Sequence, residues 1–322
     1  MPETALTAPD SAGLIKEKVH KYYHDTTADY LRYYQTDWHH HMHFGFDRDL
    51  PKGGNPTEHL VKYLADLADL LPGKPGRAGK PAHAPRVLDA GCGVGGSAIW
   101  LAQQAGCRCV GITLVESQAL LARGFASARG VAPVRGATPG TGELPCARFV
   151  VNDFTSPAFK PGSFDAVWAV ESFDHAPDKE KWIGEMHALL RPGGRLIIAD
   201  GFRGEGDLDA SQAREYGRFL AGWAVPHLCT FKEVEAWGKN AGFELVHSED
   251  LTGDVLPHSL AIFRFGLLFI PFRWLLRKLG LTSEEKLGNA YATYYQYTTL
   301  RKGFWAYGVF CFKKSVTSSN QA

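Results

Sequence analysis

Residues Val87–Trp100 read VLDAGCGVGGSAIW. A short apolar run ends in an acid, glycines follow at 91, 93, 95 and 96, and a helix-forming run comes next. Glycine permits positive φ and lets a ligand approach the main chain closely. The helix that follows offers its first amide groups to that ligand. The stretch reads as a strand–turn–helix unit built around a small molecule. Working outward, strand-like runs lie at Arg86–Ala90, Cys107–Ile112, Phe149–Asn152, Phe164–Val170 and Arg195–Asp200, with helical segments between most of them. That alternation predicts a parallel, doubly wound α/β sheet. Phe243–Val246 and Trp305–Phe312 read as a closing strand pair, separated by an insertion of apolar and aromatic helix.

Upstream, Leu14–Tyr34 is rich in helix formers, with a break expected at Asp25 and the two threonines after it. Asn55 caps a second helix, Pro56 suits its first turn, and Leu60, Leu64, Leu67 and Leu71 recur at helical spacing. Residues 72–85 are a Pro- and Gly-rich linker, and 128–147 a long loop. Hydrophobic residues make up 45% and charged residues 21%, the balance of a globular chain, and a net charge of +1 gives no reason to expect a nucleic-acid partner. Six cysteines form no CxxC pair, which argues against zinc and disulfide frameworks and for a reducing, cytoplasmic compartment. The first residues carry no apolar signal core. Two arginines and a proline interrupt the longest apolar stretch, Leu260–Leu276, which argues against a membrane span.

Gly91, Gly93 and Gly96 satisfy G-x-G-x-x-G, so the turn alone does not exclude a dinucleotide. A dinucleotide site wants an acid about 20 residues on for the ribose hydroxyls. Here the second strand ends in Thr113 and Leu114. Asp89 stands ahead of the glycines, where it would repel a pyrophosphate but attract an amino-acid ammonium. The chemistry favours S-adenosylmethionine.

The run from Val87 to Gln118 resembles motif I and its sequel in class I S-adenosylmethionine-dependent methyltransferases. FVVNDFTSPAFKPGSFDAVWAVESFDHAPDKEKWIGEMHALLRPGGRLIIAD, 149–200, resembles the rest of that core. HMHFGF, 41–46, and the terminal LRKGFWAYGVFCFKK are similar to segments of the branch that holds tocopherol methyltransferases, sterol C-methyltransferases and cyclopropane synthases. The resemblance covers roughly residues 15–315. It implies a seven-stranded Rossmann-like sheet with N-terminal helices and an α-helical substrate cap inserted before the last strand. The implied organisation is a disordered lead at 1–13, a helical lid and linker at 14–85, a cofactor-binding core at 86–250, a cap at 251–304 and the last core strand at 305–315. For the cofactor it implies that Gly91 and Gly93 line the methionine part with Asp89 near its amino group. Thr113, Leu114 and Gln118 would flank the adenosine, Asp153 and Phe154 would meet the adenine edge, and Tyr23 would close over the cofactor carboxylate. Glu116 departs from the family pattern near that segment.

Methyl transfer from a sulfonium demands alignment and exclusion of water more than leaving-group help. An acceptor that loses a proton needs a base, and an alkene acceptor needs its cation stabilised by aromatic faces and a carboxylate. Strand four runs into AVESFDH, which places Glu171, Asp174 and His175 at the carboxyl edge of the sheet. Glu171 is the expected base or cation stabiliser, with Asp174 and His175 beside it; the plainer reading has them orienting the loop and capping the next helix. His39, His40, His41 and His43 read as a lid rather than a metal site. Aromatics of the insertion, Phe263, Phe265, Phe269, Phe272, Trp274, Tyr291, Tyr294, Tyr295 and Tyr297, could cap the acceptor together with Tyr33, Tyr34, Trp38 and Phe44, or pack as a hairpin on themselves. Bases among them, Arg264, Arg273, Arg277 and Lys278, suit peripheral membrane contact. The expected activity is methyl transfer to carbon of a hydrophobic prenoid, sterol or quinol-like acceptor. The alternatives are a terpene-diphosphate C-methyltransferase, an amine or alkaloid N-methyltransferase, and a non-catalytic S-adenosylmethionine-binding protein. Glu171 and His175 beside a full cofactor motif speak against the last.

Overall fold

A computed structural model describes residues 8–34, 40–72, 83–133 and 145–316, the side chains of 8–11, 33 and 34 excepted. Seven strands, β1 (Arg86–Ala90), β2 (Arg108–Thr113), β3 (Cys146–Val151), β4 (Phe164–Val170), β5 (Leu190–Arg203), β6 (Phe243–Asp250) and β7 (Trp305–Lys314), form one sheet in the order β3-β2-β1-β4-β5-β7-β6. The first five are parallel, and β7 runs antiparallel between β5 and β6. That last register sets Tyr307 opposite Gly201, at the end of β5 where the ligand edge lies.

The helices are α1 (Ala8–Asp29), α2 (Pro56–Leu67), α3 (Gly96–Gln104), α4 (Glu116–Ala128), α5 (Lys179–Leu189), α6 (Ala210–Gly222), α7 (Phe231–Asn240), α8 (Thr252–Lys278) and α9 (Glu284–Arg301). Because helices cover both faces, the central strands are apolar on both. In β5, Leu196 and Ile198 join the layer of Trp182 and Ile183 from α5, while Ile197 and Ala199 join that of Leu60 and Leu64 from α2. Local chemistry fixes the helix starts. Asn55 accepts from the amides of Thr57 and Glu58 ahead of α2, and Thr230 with Glu233 forms a capping box on α7.

Two expectations change. Helix α1 begins at Ala8, so residues 8–13 are helical rather than a lead; Pro9 falls in the first turn, where a missing amide proton costs nothing. Residues 1–7 lie outside the described residues, as do 73–82 of the linker and 134–144 of the long loop. The break expected at Asp25–Thr27 is absent. The hydroxyls of Thr26 and Thr27 donate back one turn to the carbonyls of Tyr22 and Tyr23, at 2.7 and 2.5 Å, so the helix runs through them.

The insertion is a hairpin of α8 and α9. Ser259 donates to Gln296 Oε1 at 2.6 Å, and Gln296 Nε2 donates back to the Ser259 carbonyl at 2.9 Å. The two helices cross where only glycine fits: a Cβ on Gly266 would lie 1.8 Å from Thr293 Oγ1.

Candidate active site

The carboxyl ends of β1, β2, β4 and β5 converge on one edge of the sheet. Asp89 is buried there at 3% exposure, and its Oδ2 has no hydrogen-bond partner among the described residues. Burial pushes its carboxyl up to about 7, with the Ala98 amide pulling the other way. Gly91 and Gly93 follow at φ 94° and 52°. A narrow slot of about 80 Å³ runs along this turn, lined also by Thr113, Leu114, Gln118 and Phe154 and closed by Tyr23 and the strap His40–His43. A neighbouring cavity of about 230 Å³ shares Leu114, Phe154 and His175 with it and adds Asp153.

These residues fit S-adenosylmethionine. A buried carboxylate with one unpaired oxygen suits an ammonium, and the wall of Leu114 and Phe154 suits an adenine. The slot is tight because the strap lies against the turn. A Cβ on Gly96 would sit 2.6 Å from the His40 carbonyl, and one on Gly93 would sit 3.1 Å from Met42 Sδ. From the other side α1 is tied down by a relay: Thr113 donates to Gln118 Oε1 at 2.7 Å, and Gln118 Nε2 donates to Thr27 at 3.0 Å.

Beyond the slot lies a cavity of about 540 Å³. Tyr23, His41, Met42, His43, Glu171 and His175 line both spaces, so they mark the junction where a methyl group would cross. Glu171 stands at that junction in the left-handed region, φ 51°, which is strained for a residue with a Cβ. Three groups hold it. Its amide donates to the Ala199 carbonyl at 2.9 Å and its main chain continues β4, while its Oε1 accepts from the Phe44 amide at 2.6 Å and from the Tyr307 hydroxyl at 3.0 Å. Burial pushes the Glu171 carboxyl up to about 8; those two donors oppose the shift and Asp174 adds to it. Asp200 accepts from the amides of Asp174 and Gly201, at 3.1 and 2.7 Å, and burial, then Asp174 and Glu171, push its carboxyl well up. The Tyr23 hydroxyl lies 2.9 Å from His175 Nε2, and Asp174 Oδ1 is 3.5 Å from that nitrogen. His175 Nδ1 is buried without a hydrogen-bond partner among the described residues.

The remaining walls are aromatic and apolar: Phe44, Phe219, Trp223, Trp305, Tyr307 and Leu228, with Tyr30 and Ile262. Among the described lining residues three are carboxylic acids and none is Lys or Arg. A site of this kind aligns two bound molecules, excludes water and presents a carboxylate to a developing positive charge.

The methyltransferase-domain family model matches residues 56–248, from α2 to β6. The chain belongs to that family. It is an S-adenosylmethionine-dependent methyltransferase with the Rossmann-like fold. It is 27% identical over 281 residues to the chloroplastic tocopherol O-methyltransferase of Arabidopsis thaliana, covering 84% of this chain and 75% of that one. It is 34% identical over 176 residues to the sterol 24-C-methyltransferase erg-4 of Neurospora crassa, covering 53% of this chain and 43% of that protein. Among solved structures, the cyclase SpnF superposes with a TM-score of 0.71 at 19% identity, over 94% of this methyltransferase and 97% of that chain. That last likeness concerns the fold alone.

Of the residues expected at the cofactor, Tyr23, Asp89, Gly91, Gly93, Thr113, Leu114, Gln118 and Phe154 all line the slot of the methyltransferase. Asp153 lies apart, in the neighbouring cavity, where Lys16 pairs with its Oδ2 at 2.8 Å and Thr155 bonds its Oδ1. Glu171, Asp174 and His175 come together, and all three line the larger cavity. Trp38 and His39 lie outside the described residues, as do the side chains of Tyr33 and Tyr34. Among the described residues no group of three His, Cys, Asp or Glu side chains is arranged to hold a metal ion. His40 instead stacks on Phe125, with ring centroids 3.7 Å apart.

Of the two readings of the insertion's aromatics, the hairpin packed on itself describes most of them. Phe263 packs on Tyr294 and Tyr297, and Phe265 on Phe269, so the hairpin's rings mostly pack on one another. From the hairpin only His258, Ile262 and Asn289 line the cavity. Its aromatic walls come from α1 and the residue after it, from the strap, from α6 and the residue after it, and from β7. Asp200 and Tyr307 were not expected. Asp200 carried a usable signal, an acid ending a strand beside the one that delivers Glu171; Tyr307 carried none, since only the antiparallel register of β7 places it.

Proposed function

We propose that this methyltransferase acts on a hydrophobic prenoid, sterol or quinol-like acceptor and methylates it at carbon. The observation that carries the reading is the cavity itself: a large aromatic chamber that meets the cofactor slot at a buried carboxylate. The cofactor, when bound, supplies an electrophilic methyl group on a sulfonium. Glu171 then takes the acceptor's proton or faces its developing cation, while Tyr307 and the Phe44 amide fix the carboxylate's direction. Asp174 adds negative potential to the same wall, Asp200 holds the Asp174 amide in place, and the Tyr23–His175 pair closes the junction against water. A diphosphate acceptor suits this wall poorly, because three carboxyls line it and, among the described residues, no Lys or Arg does. An amine acceptor is favoured by one observation, the same acids and rings, which also suit an ammonium. None of the six cysteines forms a disulfide, which suits a reducing compartment such as the cytoplasm.

The deciding experiment offers prenyl quinols, sterols, prenyl diphosphates and amines with methyl-labelled cofactor. Turnover of a quinol or sterol supports the reading, and turnover of amines alone overturns it.

Two pH predictions follow from burial. Burial holds the Glu171 carboxyl near 8, above the ordinary 4.5, so the folded chain prefers it protonated. Its contribution to stability is therefore full below about 4.5 and is lost as pH rises through about 8. Activity should move the opposite way, since only the carboxylate can act: kcat/KM should rise with pH through about 8 and then level off. A profile flat from pH 6 to 9 would remove Glu171's ionisation from the mechanism.

Asp89, held near 7, should ionise as it meets the cofactor's ammonium, so affinity should rise with pH through about 7. Asp89→Asn should weaken binding roughly 10- to 100-fold, the range of a charge-assisted hydrogen bond, and abolish that pH dependence. Calorimetry at several pH values checks both, and an unchanged pH dependence in the variant would place the ammonium elsewhere.

A further inference from the structure

We infer that the outer half of the hairpin, from Leu267 to Leu281, is a docking surface for an anionic lipid bilayer, lying in the headgroup plane. The inference rests on the reading of the acceptor as hydrophobic, and it names the place from which that acceptor enters. Helix α8 is long and apolar enough to cross a membrane by composition, yet only 17% of its most apolar stretch is buried. Leu268 is 77% exposed, and Phe272, Trp274, Leu275, Leu279 and Leu281 are exposed around it. A contiguous patch of this kind is uncommon on a protein surface that meets only water.

Charge names the occupant. From Leu260 to Thr282 the chain carries four bases and no acid. Arg273 is taken up inside by an ion pair with Asp29 at 2.7 Å, while Arg264, Lys278 and Arg277, the last 3.6 Å from Glu284, are exposed. Lys278 lies over the Trp274 ring at 5.6 Å, a base and an aromatic side by side, as at the boundary between headgroups and acyl chains. Such bases are drawn to an anionic surface, and the apolar side chains beside them gain by leaving water.

The same hairpin argues against spanning. Helix α9 starts with Glu284, Glu285 and Lys286 and is bound to α8 by the Ser259–Gln296 hydrogen bonds and by the close crossing at Gly266, so α8 could enter the hydrocarbon only by leaving its partner or drawing in those charges. The base of α8 completes the picture. His258 and Ile262 line the acceptor cavity, and Ile262 precedes Phe272 on the helix by roughly 15 Å of axial rise. A molecule dissolved in the leaflet that the helix touches would thus meet the cavity wall along one helix.

The test uses the full chain and cosedimentation with vesicles of phosphatidylcholine, with and without phosphatidylglycerol. The expected result is binding to the anionic vesicles that weakens as salt rises. The triple variant Leu268→Glu, Phe272→Glu, Leu275→Glu should lose about tenfold or more of that binding, because it puts acids among exposed side chains facing an anionic surface. Its affinity for S-adenosylmethionine, measured by calorimetry, should equal that of the native chain, which shows that the variant is folded. Failure of the native chain to bind anionic vesicles, or undiminished binding by the folded variant, overturns the inference. So does a native dimer in sedimentation that the variant abolishes without any vesicle binding, which would give this face to a second copy. Vesicle binding alongside turnover of hydrophilic amines alone would sink the acceptor reading and leave the docking surface standing.

Discussion

Glu171→Gln should lower the single-turnover rate of methyl transfer by roughly 10²–10⁴ while leaving S-adenosylmethionine affinity within about threefold. The substitution keeps size and shape and removes the charge. Both hydrogen bonds to the side chain, from the Phe44 amide and the Tyr307 hydroxyl, end on one oxygen, and a glutamine carbonyl oxygen can accept both. The strap from 40 to 46 should therefore stay in place, and the left-handed backbone at 171 is demanded of either side chain. What the variant loses is the negative charge facing the acceptor and the capacity to accept a proton, which are the two roles the geometry offers. A structural glutamate behaves differently: its loss would lower melting temperature and cofactor binding together. Rapid-quench single turnover and calorimetry on one preparation separate the two. A near-normal rate would take Glu171 out of the mechanism and move the role to Asp174 and His175 on the same loop.

The parts of this protein written in local sequence were legible, and the parts made by long-range register were not. The run from Asp89 through Gly96 announces its turn because positive φ and close approach to a ligand both demand glycine, and the slot lies along it. Glu171 was readable because an acid immediately after an apolar strand has one place to go, the carboxyl edge. The acceptor chamber was not readable from composition. Rings are plentiful between 256 and 300, but a helix carries rings on all sides: Phe263 packs on the partner helix, Phe265 on Phe269 of its own helix, and Phe272 and Trp274 face outward. The rings that wall the chamber, Phe44, Phe219, Trp223 and Trp305, are scattered through the sequence, and the antiparallel return of β7 between β5 and β6 brings Trp305 onto Phe44 and Phe219. Tyr307 belongs to the same class. The threonines of α1 show the converse error, a local signal overruled: Thr26 and Thr27 favour a break in isolation, but hydroxyls that bond back one turn leave the helix intact.

Gly93→Val should abolish measurable binding of S-adenosylmethionine and S-adenosylhomocysteine, a loss of at least about 100-fold, in a protein that still folds. Two effects add. At φ 52° a side chain costs about 1–2 kcal/mol in the left-handed region, more for a β-branched one, and that strain shifts the turn whose amides the ligand approaches. The isopropyl group itself would stand in the slot, which is already only about 80 Å³ under the strap. Position 93 separates binding from folding better than position 91. A Cβ at Gly91 would fall 2.4 Å from the Cβ of Ser172, whose hydroxyl is bonded to the Ala90 carbonyl, so a valine there would push β1 and the Glu171 loop apart. A Cβ at Gly93 first meets Met42 Sδ at 3.1 Å, the far end of a flexible side chain that can turn away. The valine variant should therefore melt within a few degrees of the native chain and give no calorimetric signal with either ligand. Gly93→Ala should fall between, since it carries the backbone strain without the branch. Native affinity in the valine variant would mean that the cofactor does not lie along this turn, and the assignment of Asp89 to its ammonium would fall with it.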